Sequence, residues 1–167
     1  MKNLTILAID QSFTSSGIVL LWNGLMIHCE KHITDPTQDI FTRAWDVAER
    51  VRLLAHEHNA GVIAMEGLAF GGVGNATRDL AGLQFVIATT MRFIHDIPVV
   101  LYAPGTIKKL ATGKGNSNKD LLIDALPDSV RNAFDATGVK KTTGLRDLTD
   151  AYWIAKTAEV NYTPEAL

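Results

Sequence analysis

One cysteine among 167 residues, Cys29, leaves a disulfide framework and a cysteine-based zinc site without enough sulfur to form. Cys29 therefore reads as a small, half-buried strand residue. No apolar run approaches the roughly 20 residues that a membrane-spanning helix needs. Met1-Lys2-Asn3 passes directly into an apolar strand, without the basic, apolar and cleavage regions of a secretory signal, so the expected location is the cytoplasm. Internal repeats, low-complexity tracts and interdomain linkers are also missing. The length then suits one domain, residues 1–167, with a core of its own.

An excess of positive charge is lacking too, since the formal net charge is −2. The distribution matters more than the total. Between Gly105 and Arg146 stand eight basic residues (Lys108, Lys109, Lys114, Lys119, Arg131, Lys140, Lys141 and Arg146) against four acids, a local balance of +4, which leaves −6 for the remainder. A basic surface beside an acidic site is an arrangement in which phosphate backbones and metal can be held together.

What is present begins with Ile6-Leu7-Ala8-Ile9-Asp10, an apolar strand ending on a carboxylate. Gly17 to Trp22 resumes an apolar strand, Asn23-Gly24 signals a hairpin, and Leu25 to Ile33 follows as a third strand. Simple alternation puts Met26, His28, Glu30 and His32 on one face of it. Asp35-Pro36-Thr37-Gln38 has the form of a capped helix start. The helix is expected to run to about His58, with Phe41, Ala44, Trp45, Ala48, Val51, Leu54 and Ala55 towards the sheet and Arg43, Glu49, Arg50 and Glu57 mostly in water. Val62 to Glu66 is a short buried strand whose carboxyl end carries an acid, where open α/β sheets assemble their sites. A glycine-rich loop leads to a second helix, Thr77 to about His95, in which Gly82 suggests a close neighbour.

After a strand at Pro98–Tyr102, Pro104 opens a short helix. Ser117-Asn118-Lys119-Asp120 begins another, with its free N–H groups and Lys119 suited to a phosphate. Ser129 to Thr137 is one more. The final helix is expected to begin near Asp147, with Trp153 in its apolar stripe, and the spacing of Asp147 and Asp150 puts both carboxylates on one face. The five histidines adjoin none of the acidic motifs and read as surface or strand residues.

Asp10, Glu66, Asp147 and Asp150 each have an ordinary reading as turn, cap or helix-dipole residues. Together they are the hard oxygen donors that Mg²⁺ or Mn²⁺ requires. Two such ions about 3.5 to 4 Å apart can drive phosphodiester hydrolysis. Glu66, at the end of an apolar strand, is hardest to explain otherwise.

Leu7-Ala8-Ile9-Asp10, Ala64-Met65-Glu66 and Arg146-Asp147-Leu148-Thr149-Asp150-Ala151, in this order, resemble the RuvC-type Holliday junction resolvases. Tyr102-Ala103-Pro104-Gly105-Thr106-Ile107-Lys108-Lys109, followed by Lys119, resembles that family's basic segment. The resemblance implies a ribonuclease H-like α/β fold: a central mixed five-stranded sheet, three antiparallel strands then two parallel, flanked by helices. It also implies a homodimeric, Mg²⁺-dependent endonuclease that nicks opposed strands of a four-way junction, with two ions per site, and the departures from the family pattern suit a bacteriophage member. Asp10, Glu66, Asp147 and Asp150 would be the ligands, and Lys108 and Lys119 would grip phosphate or stabilise the transition state. Phe70 would stand where an aromatic is expected to stack on a junction base. Lys109, Lys114, Lys140, Lys141 and Arg146 would meet DNA. The family's Asp-Pro-Gly is here Asp10-Gln11-Ser12. Two alternatives start from the same residues: a noncatalytic DNA-binding module of this fold, and an actin-like phosphotransferase suggested by the run Ile9 to Gly17.

Overall fold

The computed structural model describes residues 3–68, 74–139 and 144–164. Its centre is a five-stranded sheet formed by β1 (Thr5–Asp10), β2 (Ser15–Trp22), β3 (Leu25–Ile33), β4 (Val62–Glu66) and β5 (Val99–Tyr102), in the order β3-β2-β1-β4-β5. β1 to β3 are antiparallel, whereas β4 joins β1, and β5 joins β4, in parallel. Asn23 and Gly24, both at positive φ, make the β2–β3 turn in the backbone region that this pair of residues favours.

Alternation along the strands divides the core into two layers. Ile6, Ala8, Val19, Leu21, Val62 and Ala64 face α6 (Gly144–Asn161), while Leu7, Ile9, Ile18, Leu20, Ile63 and Met65 face α1 (Ile40–Glu57) and α2 (Asn75–Thr89). A bulge alters the expected alternation in β3. Leu20 pairs with His28 but Leu21 with Met26, so Ile27 is an extra residue and Met26 comes to the α6 side with Cys29. His28, Glu30 and His32 remain on the other side, where Glu30 meets Arg50 and His32 meets Asp46. Cys29 is partly buried, as expected.

α1 starts later than the sequence suggests. Asp39, not Asp35, is its N-cap, accepting from the Phe41 and Thr42 N–H groups, and Asp35 instead closes a turn onto Thr37. The buried stripe is Ala44, Val47, Ala48, Val51, Leu54 and Ala55. Phe41 and Trp45 do not join it: they are 83% and 52% exposed. Trp45 lies about 100° round the helix from Ala44, off the stripe, and Phe41 borders an open groove against α2 instead of the sheet. Arg43 and Arg50 turn inward, Arg43 to Thr34 Oγ1 at 2.8 Å and Arg50 to Glu30 Oε1 at 2.6 Å. Burial works against the Glu30 charge, yet the hydrogen bonds from Arg50 and His28 draw its pKa down to about 2.

α2 passes into a π-helical turn, Thr90–Ile94, that keeps Met91 buried but leaves Ile94 exposed. The close neighbour expected at Gly82 is not found among the described residues, where a Cβ at that position would meet nothing within 4 Å. Three short helices follow β5: α3 (Pro104–Thr112), α4 (Lys119–Asp124) and α5 (Asp128–Ala136). α6 begins at Gly144, three residues before Asp147, so Asp147 lies in the first turn and does not cap it. Trp153 is core, its indole N–H donating to the Leu122 carbonyl at 3.0 Å. No helix among the described residues is long and apolar enough to cross a membrane.

Candidate active site

The strand registers line up one row across the whole sheet. Lys31 pairs with Gly17, Gly17 with Asp10, and Glu66 with Tyr102; the Ile9–Met65 pair sets Asp10 beside Glu66. All five residues lie at the end of the sheet and share the parity that faces α6. Adjacent members of such a row stand about 4.8 Å apart. The sequence therefore delivers two carboxylates side by side from β1 and β4, because parallel partners point the same way.

Gly17 lets α6 complete the site. A Cβ on Gly17 would come within 2.2 Å of the Asp147 carbonyl oxygen, so only glycine admits the first turn of α6 over β2. Asp147 and Asp150 follow from that approach, on the turns that face the row.

The electrostatics report the convergence. Burial, then the charges of Asp150, Glu66 and Asp147, push the Asp10 pKa up from 3.8 to about 8, with Lys119 opposing. Asp10 keeps part of its surface open to solvent. Burial and Asp150 likewise raise Glu66, against the pull of Lys119 and Lys108. Lys119 donates to Asp150 Oδ2 at 2.8 Å. Burial disfavours its ammonium, but Asp150, Asp10 and Asp147 outweigh that and raise its pKa. The structure thus turns Lys119 towards the acids, while Asn118 caps the Leu121 N–H of α4.

Sequence reasoning missed four contributors. Lys31 contacts Asp147 Oδ2 at 3.2 Å, and the Ser15 hydroxyl donates to the same oxygen at 2.9 Å. Gln11 and Gln84 both donate side-chain N–H groups to the Glu66 carbonyl, at 3.1 and 2.8 Å. These amides are only 9% and 8% exposed, and Gln11 Oε1 is buried without a hydrogen-bond partner among the described residues. A polar residue between Leu83 and Ile87 on an apolar stripe, and a lysine on the buried-side parity of β3, were the available signals.

The remaining predicted residues are less concentrated. Lys109 and Lys114 are exposed on and just after α3, and Arg146 lies 3.6 Å from Asp120 across the α6–α4 gap. Phe70, Lys140 and Lys141 fall outside the described residues.

The acids fit a divalent cation in charge and donor chemistry, and burial with their mutual repulsion raises the Asp10 pKa. As the side chains stand, no three His, Cys, Asp or Glu among the described residues form a ready-made metal cage. Lys119 occupies Asp150, and Lys31 with Ser15 occupies Asp147.

A mixed sheet in this order, with carboxylates at the ends of its first and fourth strands and a helix carrying two more across its face, is a ribonuclease H-like fold of the RuvC type. No protein-family model matches the chain. It is 28% identical over 125 residues, 70% of this chain and 77% of the relative, to the crossover junction endodeoxyribonuclease RuvC of Synechococcus sp. (strain CC9311). The Thermus thermophilus RuvC structure superposes with a TM-score of 0.72 at 21% identity, covering 93% of each chain. T. thermophilus RuvC in complex with a Holliday junction substrate gives 0.68 at 17%, covering 93% of this chain and 92% of that one. By sequence the chain is similar to a RuvC crossover junction endodeoxyribonuclease, and it shares the fold of the RuvC structures.

Proposed function

We propose that this protein is a divalent-metal-dependent, structure-selective DNA endonuclease that resolves four-way junctions by paired nicks, one from each subunit of a homodimer. The observation that carries the reading is the meeting of Asp10, Glu66, Asp147 and Asp150, remote in sequence, closely enough that burial and mutual repulsion hold Asp10 near a pKa of about 8.

Asp10, Glu66, Asp147 and Asp150 would hold Mg²⁺ or Mn²⁺, two ions being the number that suits four carboxylates. When bound, such ions activate a water and steady the leaving oxygen in phosphodiester hydrolysis. The chain's own residues do the rest. β1 and β4 hold Asp10 and Glu66 at fixed spacing, and the Gln11 and Gln84 amides pin the Glu66 peptide. Lys119 and Lys108, whose charges already reach Glu66, lie where a scissile phosphate would need balancing charge. Lys109, Lys114 and Arg146 extend that basic side towards the arms of the DNA, with Lys140, Lys141 and Phe70 as further contacts.

The homodimer rests on the outer faces of α1 and α2. Phe41, Trp45 and Phe85 are exposed there, Phe93 is exposed on the π-helical turn that follows α2, and the groove lined by Ile40, Phe41, Gly82 and Val86 is open. Apolar surface of this kind marks an interaction site, and a two-fold contact would present two catalytic centres to two strands.

The pairing of Asp150 with Lys119 and of Asp147 with Lys31 is the observation that favours a noncatalytic DNA-binding module instead. One experiment separates the two readings. The purified protein is incubated with a synthetic immobile junction, a flap and a linear duplex, with and without Mg²⁺, and nicks are mapped. Symmetric metal-dependent nicks on the junction support the proposal. Junction binding without any nicking supports the module, and equal cutting of the duplex indicates a general nuclease.

A further inference from the structure

The cation most thoroughly built into the site is one that the sequence motifs do not contain. Lys31 stands in β3, directly opposite Gly17, and Gly17 stands opposite Asp10. The row Lys31–Gly17–Asp10 thus has a gap at its centre, and the first turn of α6 fills it. Asp147 enters between a cation on one side and the carboxylate cluster on the other.

Lys31 is not a surface lysine bent over by chance. Its side chain is only 16% exposed. Its methylenes pass beneath the start of α6, where a Cβ on Gly144 would come within 3.1 Å of Lys31 Cδ. Burying an ammonium is costly unless it is paired, and the partner here is Asp147 Oδ2 at 3.2 Å. The Ser15 hydroxyl, from the first residue of β2, donates to that same Oδ2 at 2.9 Å. Two donors from two strands converge on one oxygen, so the carboxylate is fixed in rotation and its Oδ1 is the atom turned free among the described residues.

Resting on the nuclease reading above, we infer that Lys31 and Ser15 are positioning residues, a fork that holds Asp147 by Oδ2 so that Oδ1 is presented to a divalent cation. The fork touches neither DNA nor the reacting atoms. Its effect is to spare metal binding the entropy of ordering Asp147 and to keep that ligand from swinging onto Lys119. Outer contacts of this kind, when removed, weaken metal affinity or activity by about 10- to 100-fold.

The test uses the full chain without DNA. Mn²⁺ is titrated calorimetrically into the wild type and into Lys31→Met, Lys31→Arg and Ser15→Ala variants. Lys31→Met should weaken Mn²⁺ binding by about 10- to 100-fold and Ser15→Ala in the same direction by less, while Lys31→Arg restores most of the affinity. The Mg²⁺ concentration for half-maximal nicking should rise by the same factor, with the rate at saturating Mg²⁺ largely recovered. Junction binding in EDTA should be unchanged. Wild-type Mn²⁺ affinity in Lys31→Met overturns the inference, as does tighter binding, which would make Lys31 a competitor of the metal. Loss of junction affinity with metal affinity intact also overturns it, making Lys31 a DNA contact. If Lys31→Met fails to fold, as read by circular dichroism, Ser15→Ala decides, since it removes a single oxygen. A wild-type protein that neither binds Mn²⁺ nor nicks a junction removes the nuclease reading itself, a result distinct from the variant outcomes.

Discussion

Gly17 lies against the backbone of Asp147, with room for a hydrogen and not for a methyl group: the methyl carbon would sit 2.2 Å from the Asp147 carbonyl oxygen. Because the obstacle is main chain, no side-chain rotation relieves it. Gly17→Ala should push the first turn of α6 away from the sheet, costing about 1–3 kcal/mol of stability as overpacking does. Nicking should fall further than stability explains, because Asp147 rides on that turn and Asp150 on the next. Thermal denaturation alongside junction cleavage below the melting range checks this.

Asp10 gives a pH signature. Its pKa is about 8 in the folded protein against an ordinary 3.8. The folded state therefore keeps a proton that the unfolded chain releases. The stability associated with that proton is fully present below about pH 4 and is lost as the pH rises through about 8. Asp10→Asn should remove this dependence, melting higher than the wild type at neutral pH in EDTA while abolishing cleavage. Metal binding to the wild type should release protons, measurable in buffers of different ionisation enthalpy.

Gln84 reaches from α2 to the Glu66 carbonyl at 2.8 Å, and Gln11 shares that acceptor. Gln84→Leu leaves one buried acceptor with a single donor. It should cost about 0.5–1.5 kcal/mol and reduce cleavage at limiting Mg²⁺, whereas Gln84→Glu should be worse by adding a charge beside the acids. Urea denaturation and Mg²⁺ titration of the nicking rate give the two values.

Phe85 is largely exposed on α2, about 100° round the helix from the buried Gln84. If that face is a subunit contact, Phe85→Asp should produce a monomer in sedimentation equilibrium without lowering the melting temperature of the chain at high dilution. Paired nicking should become uncoupled, single nicks accumulating on supercoiled cruciform DNA.

Lys109 and Lys114 carry no ion pair among the described residues. Replacing either with alanine should weaken junction binding for all sequences alike and reduce the slope of log affinity against log salt by about 1. Fluorescence anisotropy across a salt series measures it. An unchanged slope would remove that lysine from the DNA surface.

The sequence by itself determined the order of the elements and the ends of the strands that matter. Apolar runs closed by Asp10 and Glu66 could be seen because strands buried on both faces tolerate charge only at their ends, and Asp147 and Asp150 because helical spacing puts them on one face. What local pattern could not supply was anything set by neighbours distant in the chain. It placed Phe41 and Trp45 inside although Trp45 lies off the buried stripe and Phe41 borders the groove against α2, and it missed the β3 bulge because an extra residue is visible only against its partner strand. Lys31, Ser15, Gln11 and Gln84 looked like ordinary strand, turn and helix residues until register and packing set them on the carboxylates. Only the tertiary structure decided those contacts, because the desolvation and Coulomb energies that make them matter arise when four strands and two helices close around one small volume.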